Sequence, residues 1–88
     1  MSIKEEFEHL FENLKIKRDE IHLQLHLASM EVKEEFEEAE KKWAVVKAKA
    51  IEVADDTKET SKEYIAKARI VGEELKDAYQ RISERLSK

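Results

Sequence analysis

The sequence contains no cysteine and no proline, and it has a single glycine, Gly72. Without cysteine, neither a disulfide scaffold nor a cysteine-based zinc site can form. The turns of β-sheet proteins are built largely from glycine and proline, so their scarcity argues against a sheet protein. The longest apolar run is Trp43 to Val46, which is far too short to span a membrane. Nothing resembles a secretory signal peptide, so we expect a cytoplasmic protein.

What the sequence does contain is charge and helix-forming residues. Charged residues make up 43% of the chain, and more than half of all residues are Ala, Glu, Lys, Leu or Arg. This composition is typical of long helices and coiled coils. The formal net charge is -4, whereas nucleic-acid-binding domains usually carry a basic stripe. We therefore expect no nucleic-acid partner and no stable membrane insertion.

The most acidic stretch lies between Glu31 and Glu40, with six glutamates and only Lys33 as a cation. Such a stretch can serve as a docking site for a basic protein partner, or it can be a solvated face of a helix. The sequence leaves both interpretations open.

Apolar residues recur with helical spacing along residues 3–54 and fall on one side of a helical wheel. Their spacing includes steps of eleven residues, which corresponds to a nearly straight helix. The pattern predicts one helix over about residues 3–54. Its apolar stripe consists of Ile3, Phe7, Leu10, Leu14, Ile21, Leu25, Ala28, Val32, Phe36, Ala39, Trp43, Val46, Ala50 and Ala54.

A second helix is predicted over about residues 57–87. Weak helix formers occupy residues 55–61, where Thr60 with Glu63, or Asp56 with Glu59, could cap a helix start. The second stripe consists of Tyr64, Ala68, Val71, Leu75, Tyr79, Ile82 and Leu86. The predicted fold is a single all-α domain over residues 1–88, a coiled-coil-like antiparallel helical hairpin. A three-helix bundle with a further break near Ser29 and one continuous rod are the alternatives.

In this hairpin the second helix, about 45 Å long, could not cover a first helix of about 78 Å. Apolar residues near the start of the chain would then be bare, which marks an association site. A second apolar patch lies off the main stripe. We therefore predict a homodimeric helical bundle, because two-fold dimers are the commonest oligomers. Its interface residues would be Phe7, Leu10 and Leu14 of the bare stripe, with Ile16, Leu23, Leu27 and Met30 of the second patch.

Asp19, His22 and His26 share one side of the predicted helix and are the candidate metal ligands. Three ligands plus water are the set that a catalytic zinc ion uses. However, Lys15 and Arg18 lie close by and would repel a cation. We therefore expect no metal, no cofactor and no catalytic residues.

These observations favour a non-enzymatic structural or protein–protein interaction module that acts as a homodimer and has a further protein partner. The alternative is a reversible amphipathic-helix binder of lipid or particle surfaces, since eleven-residue amphipathic repeats also suit interfaces.

Overall fold

The computed structural model of the protein describes residues 2–55 and 60–87. Within these residues every regular element is helical, which confirms the all-α prediction. Helix α1 spans Ile3–Gln24 and is followed by a short 3-10 turn at Leu25–Leu27. Helix α2 spans Met30–Ala54, and helix α3 spans Lys62–Leu86.

The prediction of one continuous helix over residues 3–54 is wrong. The chain leaves the helix at the 3-10 turn, and Ala28 is extended, with φ -81° and ψ 152°. Ser29 then caps α2, because its hydroxyl oxygen accepts a hydrogen bond from the Val32 amide at 3.3 Å. A serine at this position satisfies one of the free amides at a helix start. The three-helix alternative with a break near Ser29 describes this chain better than the hairpin.

Helix α3 starts a little later than the sequence suggested. Ser61 is its cap, accepting a hydrogen bond from the Tyr64 amide at 3.1 Å. Thr60, the expected cap, instead donates from its hydroxyl to the carbonyl oxygen of Glu52 at 3.4 Å. The alternative pair, Asp56 with Glu59, lies outside the described residues.

Cross-helix contacts give the helix directions. Later residues of α1 meet earlier residues of α2, so these helices are antiparallel, as shown by Phe11 with Trp43, Arg18 with Glu40, and His22 with Phe36. The same reversal relates α2 to α3, as shown by Lys42 with Glu74 and Glu31 with Arg85. Helix α3 therefore runs parallel to α1 and packs against both other helices.

One hydrophobic core joins all three helices. The predicted stripes supply nearly all of it, and Val53 and Ile65 are buried in addition. The buried apolar residues are Phe7, Leu10, Leu14, Ile21, Val32, Phe36, Ala39, Trp43, Val46, Val53, Ile65, Ala68, Leu75, Tyr79 and Ile82. The described molecule is 43 Å long, which is close to the ~38 Å of a single 25-residue helix. Because the chain folds back at residues 25–29, its three helices cover one another's apolar stripes.

Gly72 marks a close approach of α3 to α1. A Cβ atom at this position would lie 2.8 Å from Cδ2 of Leu10 and 3.7 Å from Cδ1 of Leu14. Only a residue without a side chain therefore fits between the helices without moving Leu10.

We expect Gly72→Leu to lower the free energy of unfolding by about 2–3 kcal/mol, because a large side chain would force the two helices apart. Gly72→Ala is the control. In Gly72→Ala, the higher helix propensity of alanine, worth about 1 kcal/mol, offsets the cost of moving the flexible end of the Leu10 side chain. Urea denaturation followed by circular dichroism measures both variants. An unchanged midpoint for Gly72→Leu would mean that α1 and α3 do not approach closely at this position.

Candidate functional site

Three large apolar side chains are exposed around the turn from α1 to α2, and a fourth lies on α1 about two helical turns before it. Leu23, Leu27 and Met30 are 75%, 77% and 72% exposed, and Ile16 is 55% exposed. We call these four residues the corner patch. They are the same residues that the sequence placed off the main stripe. The structure therefore leaves them outside the core, as expected for residues that do not share its face.

The geometry of the turn explains this exposure. Leu25 and Ala28 are partly buried and pack against the core. Leu23 and Leu27 alternate with Leu25 along the chain, so they point away from the core when Leu25 points towards it. The apolar–polar alternation of residues 21–27 thus produces both an anchor for the turn and a surface patch.

The other three predicted interface residues do not lie on the surface. Phe7, Leu10 and Leu14 are almost completely buried, and the last two lie beside Gly72 of α3. They are covered within the chain because the break at residues 25–29 shortens the first helix, so α3 can reach its whole stripe. In this fold they are core residues and do not form the predicted dimer interface.

The candidate metal ligands do not form a ligand set. Among residues 2–55 and 60–87 there is no group of three His, Cys, Asp or Glu side chains placed to hold a metal ion. Helix α1 ends at Gln24, so His26 no longer continues the helical face that carries Asp19 and His22. The His22 ring lies instead beside Phe36, with the ring centroids 6.2 Å apart.

Three of the six glutamates in the acidic stretch of α2 form ion pairs with another helix. Glu31 and Glu35 both accept hydrogen bonds from Arg85 of α3. Glu40 accepts two from Arg18 of α1. Two arginines thus neutralise part of this negative charge within the bundle, which weakens the interpretation of the stretch as a docking site.

Arg18 holds α1 and α2 together near their middle. Its Nε and Nη2 atoms donate to the two carboxylate oxygens of Glu40 at 2.7 and 2.8 Å. The guanidinium carbon also lies 5.2 Å from the centre of the Trp43 ring, and Trp43 stacks on Phe11 at 5.1 Å. The hydrogen bond to Glu40 raises the pKa of Arg18 above its ordinary value. Paired hydrogen bonds of this kind fix geometry as well as adding energy. We call Arg18, Glu40, Trp43 and Phe11 the α1–α2 clamp.

Tyr79 brings a hydroxyl group into the core beside this clamp. Its side chain is fully buried and faces Phe36, with the ring centroids 6.4 Å apart. The hydroxyl oxygen has no hydrogen-bond partner among the residues that the structure describes. Burial raises the pKa of Tyr79 well above its ordinary value, with a smaller effect from the negative charge of Glu40. Buried polar groups without a partner destabilise the folded state.

We expect Tyr79→Phe to raise the free energy of unfolding at neutral pH by about 1 kcal/mol, since it removes that hydroxyl and keeps the ring. Above a pH of about 10 the unfolded tyrosine loses its proton while the folded one retains it, so the wild-type protein loses stability there. The advantage of the variant should therefore grow as the pH rises. Denaturation curves at neutral and alkaline pH test this, and a less stable variant would show that the hydroxyl makes a favourable contact.

No protein-family model, curated protein or solved structure matches the chain. In the described part of the molecule, no helix is both long and apolar enough to cross a membrane.

Proposed function

We propose that this protein is a non-enzymatic helical interaction module of the cytoplasm that self-associates through its corner patch. The observation that carries the proposal is the exposure of Leu23, Leu27 and Met30 on a chain whose three helices already share one core. Large apolar side chains exposed close together are characteristic of an association site.

A second copy of the chain suits this patch because a two-fold axis brings identical surfaces together. Leu23 and Leu27 of one copy would then pack against the same residues of the other. Four side chains from each copy provide a small interface, near the lower limit of about 1,000 Å² for specific association. We therefore expect a weak dimer whose population depends on protein concentration.

We propose no catalytic role for the corner patch, because it consists of aliphatic side chains rather than reactive groups. A catalytic site needs a nucleophile or base with an orienting partner and a concave space for the substrate. The exposed aliphatic side chains of the corner patch offer contact area to a partner.

The same exposed leucines also favour a second candidate function, reversible binding to a lipid surface. Leu23 and Leu27 could enter the interface of a bilayer while the rest of the bundle stays folded. Binding along the whole amphipathic length of the chain would instead require the bundle to open, since its apolar stripes are buried inside.

Sedimentation velocity over a wide range of protein concentrations tests the proposal. We expect the mass to rise from one chain towards two as concentration increases. A mass of one chain at all concentrations would contradict self-association. Co-sedimentation with anionic vesicles in that case would favour the lipid-binding candidate.

A further inference from the structure

A groove lies between the start of α1 and the end of α2, and it shares Phe11 with the α1–α2 clamp. It has a volume of about 640 Å³, and its accessible apolar lining is formed by Phe11, Ala50, Ile51 and Ala54, with the buried ring of Phe7 beneath them. Small side chains on α2 create the space, and Ile51 is 64% exposed beside it. We call this the α1–α2 groove.

The groove carries negative charge on its α1 side. Glu8 and Glu12 lie one helical turn apart along this side and are exposed. In the described parts of the chain neither carboxylate takes part in an ion pair, whereas Glu6, on the side of α1 that meets α3, pairs with Arg69 at 2.9 Å. Ion pairs thus join the helices at several other places, whereas Glu8 and Glu12 have no such partner among residues 2–55 and 60–87.

We propose that the α1–α2 groove binds an amphipathic helix of a partner protein that carries Lys or Arg beside its apolar stripe. The apolar lining would take the stripe of that helix, and Glu8 and Glu12 would pair with its cations. Two carboxylates spaced by four residues match cations spaced by one turn on a neighbouring helix.

The groove is separate from the corner patch. Its α1 residues belong to the first half of that helix, whereas the corner patch surrounds the end of the helix. A partner helix could therefore bind whether or not two copies of the chain associate. The two proposals can be tested independently of each other.

The probe is an amphipathic peptide of leucine and lysine, about 15 residues long so that it can form a helix. It is titrated into the isotope-labelled protein, with binding measured by calorimetry and located by the shifts of backbone amide signals. We expect the largest shifts at residues 7–12 and 50–54. A peptide of leucine and glutamate with the same pattern should not bind.

The decisive variant is Glu8→Lys with Glu12→Lys, compared with Glu34→Lys and Glu37→Lys. Glu34 and Glu37 are exposed residues of α2, and the two double variants change the net charge equally. We expect the first double variant to weaken binding at least about tenfold, and the second by less than about threefold. Ile51→Gln, a change at an exposed position, should also weaken binding and leaves the net charge unaltered.

Equal weakening by the two charge variants would show that only net charge attracts the peptide, and would overturn the proposal. Shifts centred on the corner patch, or unchanged binding by Ile51→Gln, would overturn it as well. Circular dichroism of each variant establishes that it is folded before binding is compared.

Discussion

Replacing Trp43 by alanine is expected to lower the free energy of unfolding by about 3–5 kcal/mol. The indole is 8% exposed and lies in the core. It stacks on Phe11 at 5.1 Å and lies under the guanidinium of Arg18. Alanine would remove both contacts and leave a cavity between α1 and α2. Urea denaturation followed by circular dichroism measures the loss, since the variant has no tryptophan fluorescence.

Val45→Ala provides the matched control on the same helix. Val45 is 45% exposed, so its truncation should change the free energy of unfolding by no more than about 0.5 kcal/mol. If Trp43→Ala had an equally small effect, the indole would not be part of the core. The described contact between α1 and α2 would then be wrong.

The second large effect concerns self-association. Leu23→Glu combined with Leu27→Glu should abolish the dimer while the helical content remains close to that of the wild-type protein. Charges placed at the centre of a small apolar interface would repel one another across the two-fold axis and would need to lose their water. Sedimentation velocity reports the mass, and circular dichroism reports the helical content.

Val45→Glu combined with Ile70→Glu is the control for this experiment. Both residues are exposed apolar side chains outside the corner patch, and the change in charge is the same. This variant should associate like the wild-type protein. If the corner variant loses its helical structure instead, the patch belongs to the core. If it remains a dimer, the interface lies elsewhere on the molecule.

The sequence was a reliable guide to which residues are buried, because helical periodicity is a local property. Residues such as Phe7, Phe36 and Leu75 recur at the spacing of one helical face, and each helix must bury that face somewhere. Leu23 and Leu27 were identified as a separate patch for the same reason. These features do not depend on how the helices are arranged.

The break at residues 25–29 could not be read from periodicity. A helical wheel assumes a continuous helix, and the stripe of α2 happens to stay in phase with that of α1 across the turn. No glycine or proline marks the site, and the only local signal is Ser29, a good capping residue. What favours the break is tertiary, because folding back lets α3 cover Phe7, Leu10 and Leu14. These three residues were predicted to lie at a dimer interface because a first helix over residues 3–54 would have been too long for the last helix to cover. Since that helix is broken, the reason for the interface prediction no longer holds.

The α1–α2 groove was missed for a similar reason. Glu8, Glu12, Ala50 and Ala54 are unremarkable along the sequence, and only the antiparallel arrangement brings them together. The Arg18–Glu40 pair also joins residues of separate helices, and nothing in the local pattern indicates which glutamate Arg18 would meet.

Small-angle X-ray scattering over a series of concentrations tests the account most directly. Extrapolated to low concentration, the radius of gyration should be close to the 14.0 Å of the three-helix chain, with the mass of one chain. Both values should then rise with concentration for the wild-type protein and stay constant for the Leu23→Glu and Leu27→Glu variant. A continuous helix of residues 3–54 would be about 78 Å long. It would give a radius of gyration of about 20 Å or more at every concentration, and that result would contradict the three-helix bundle.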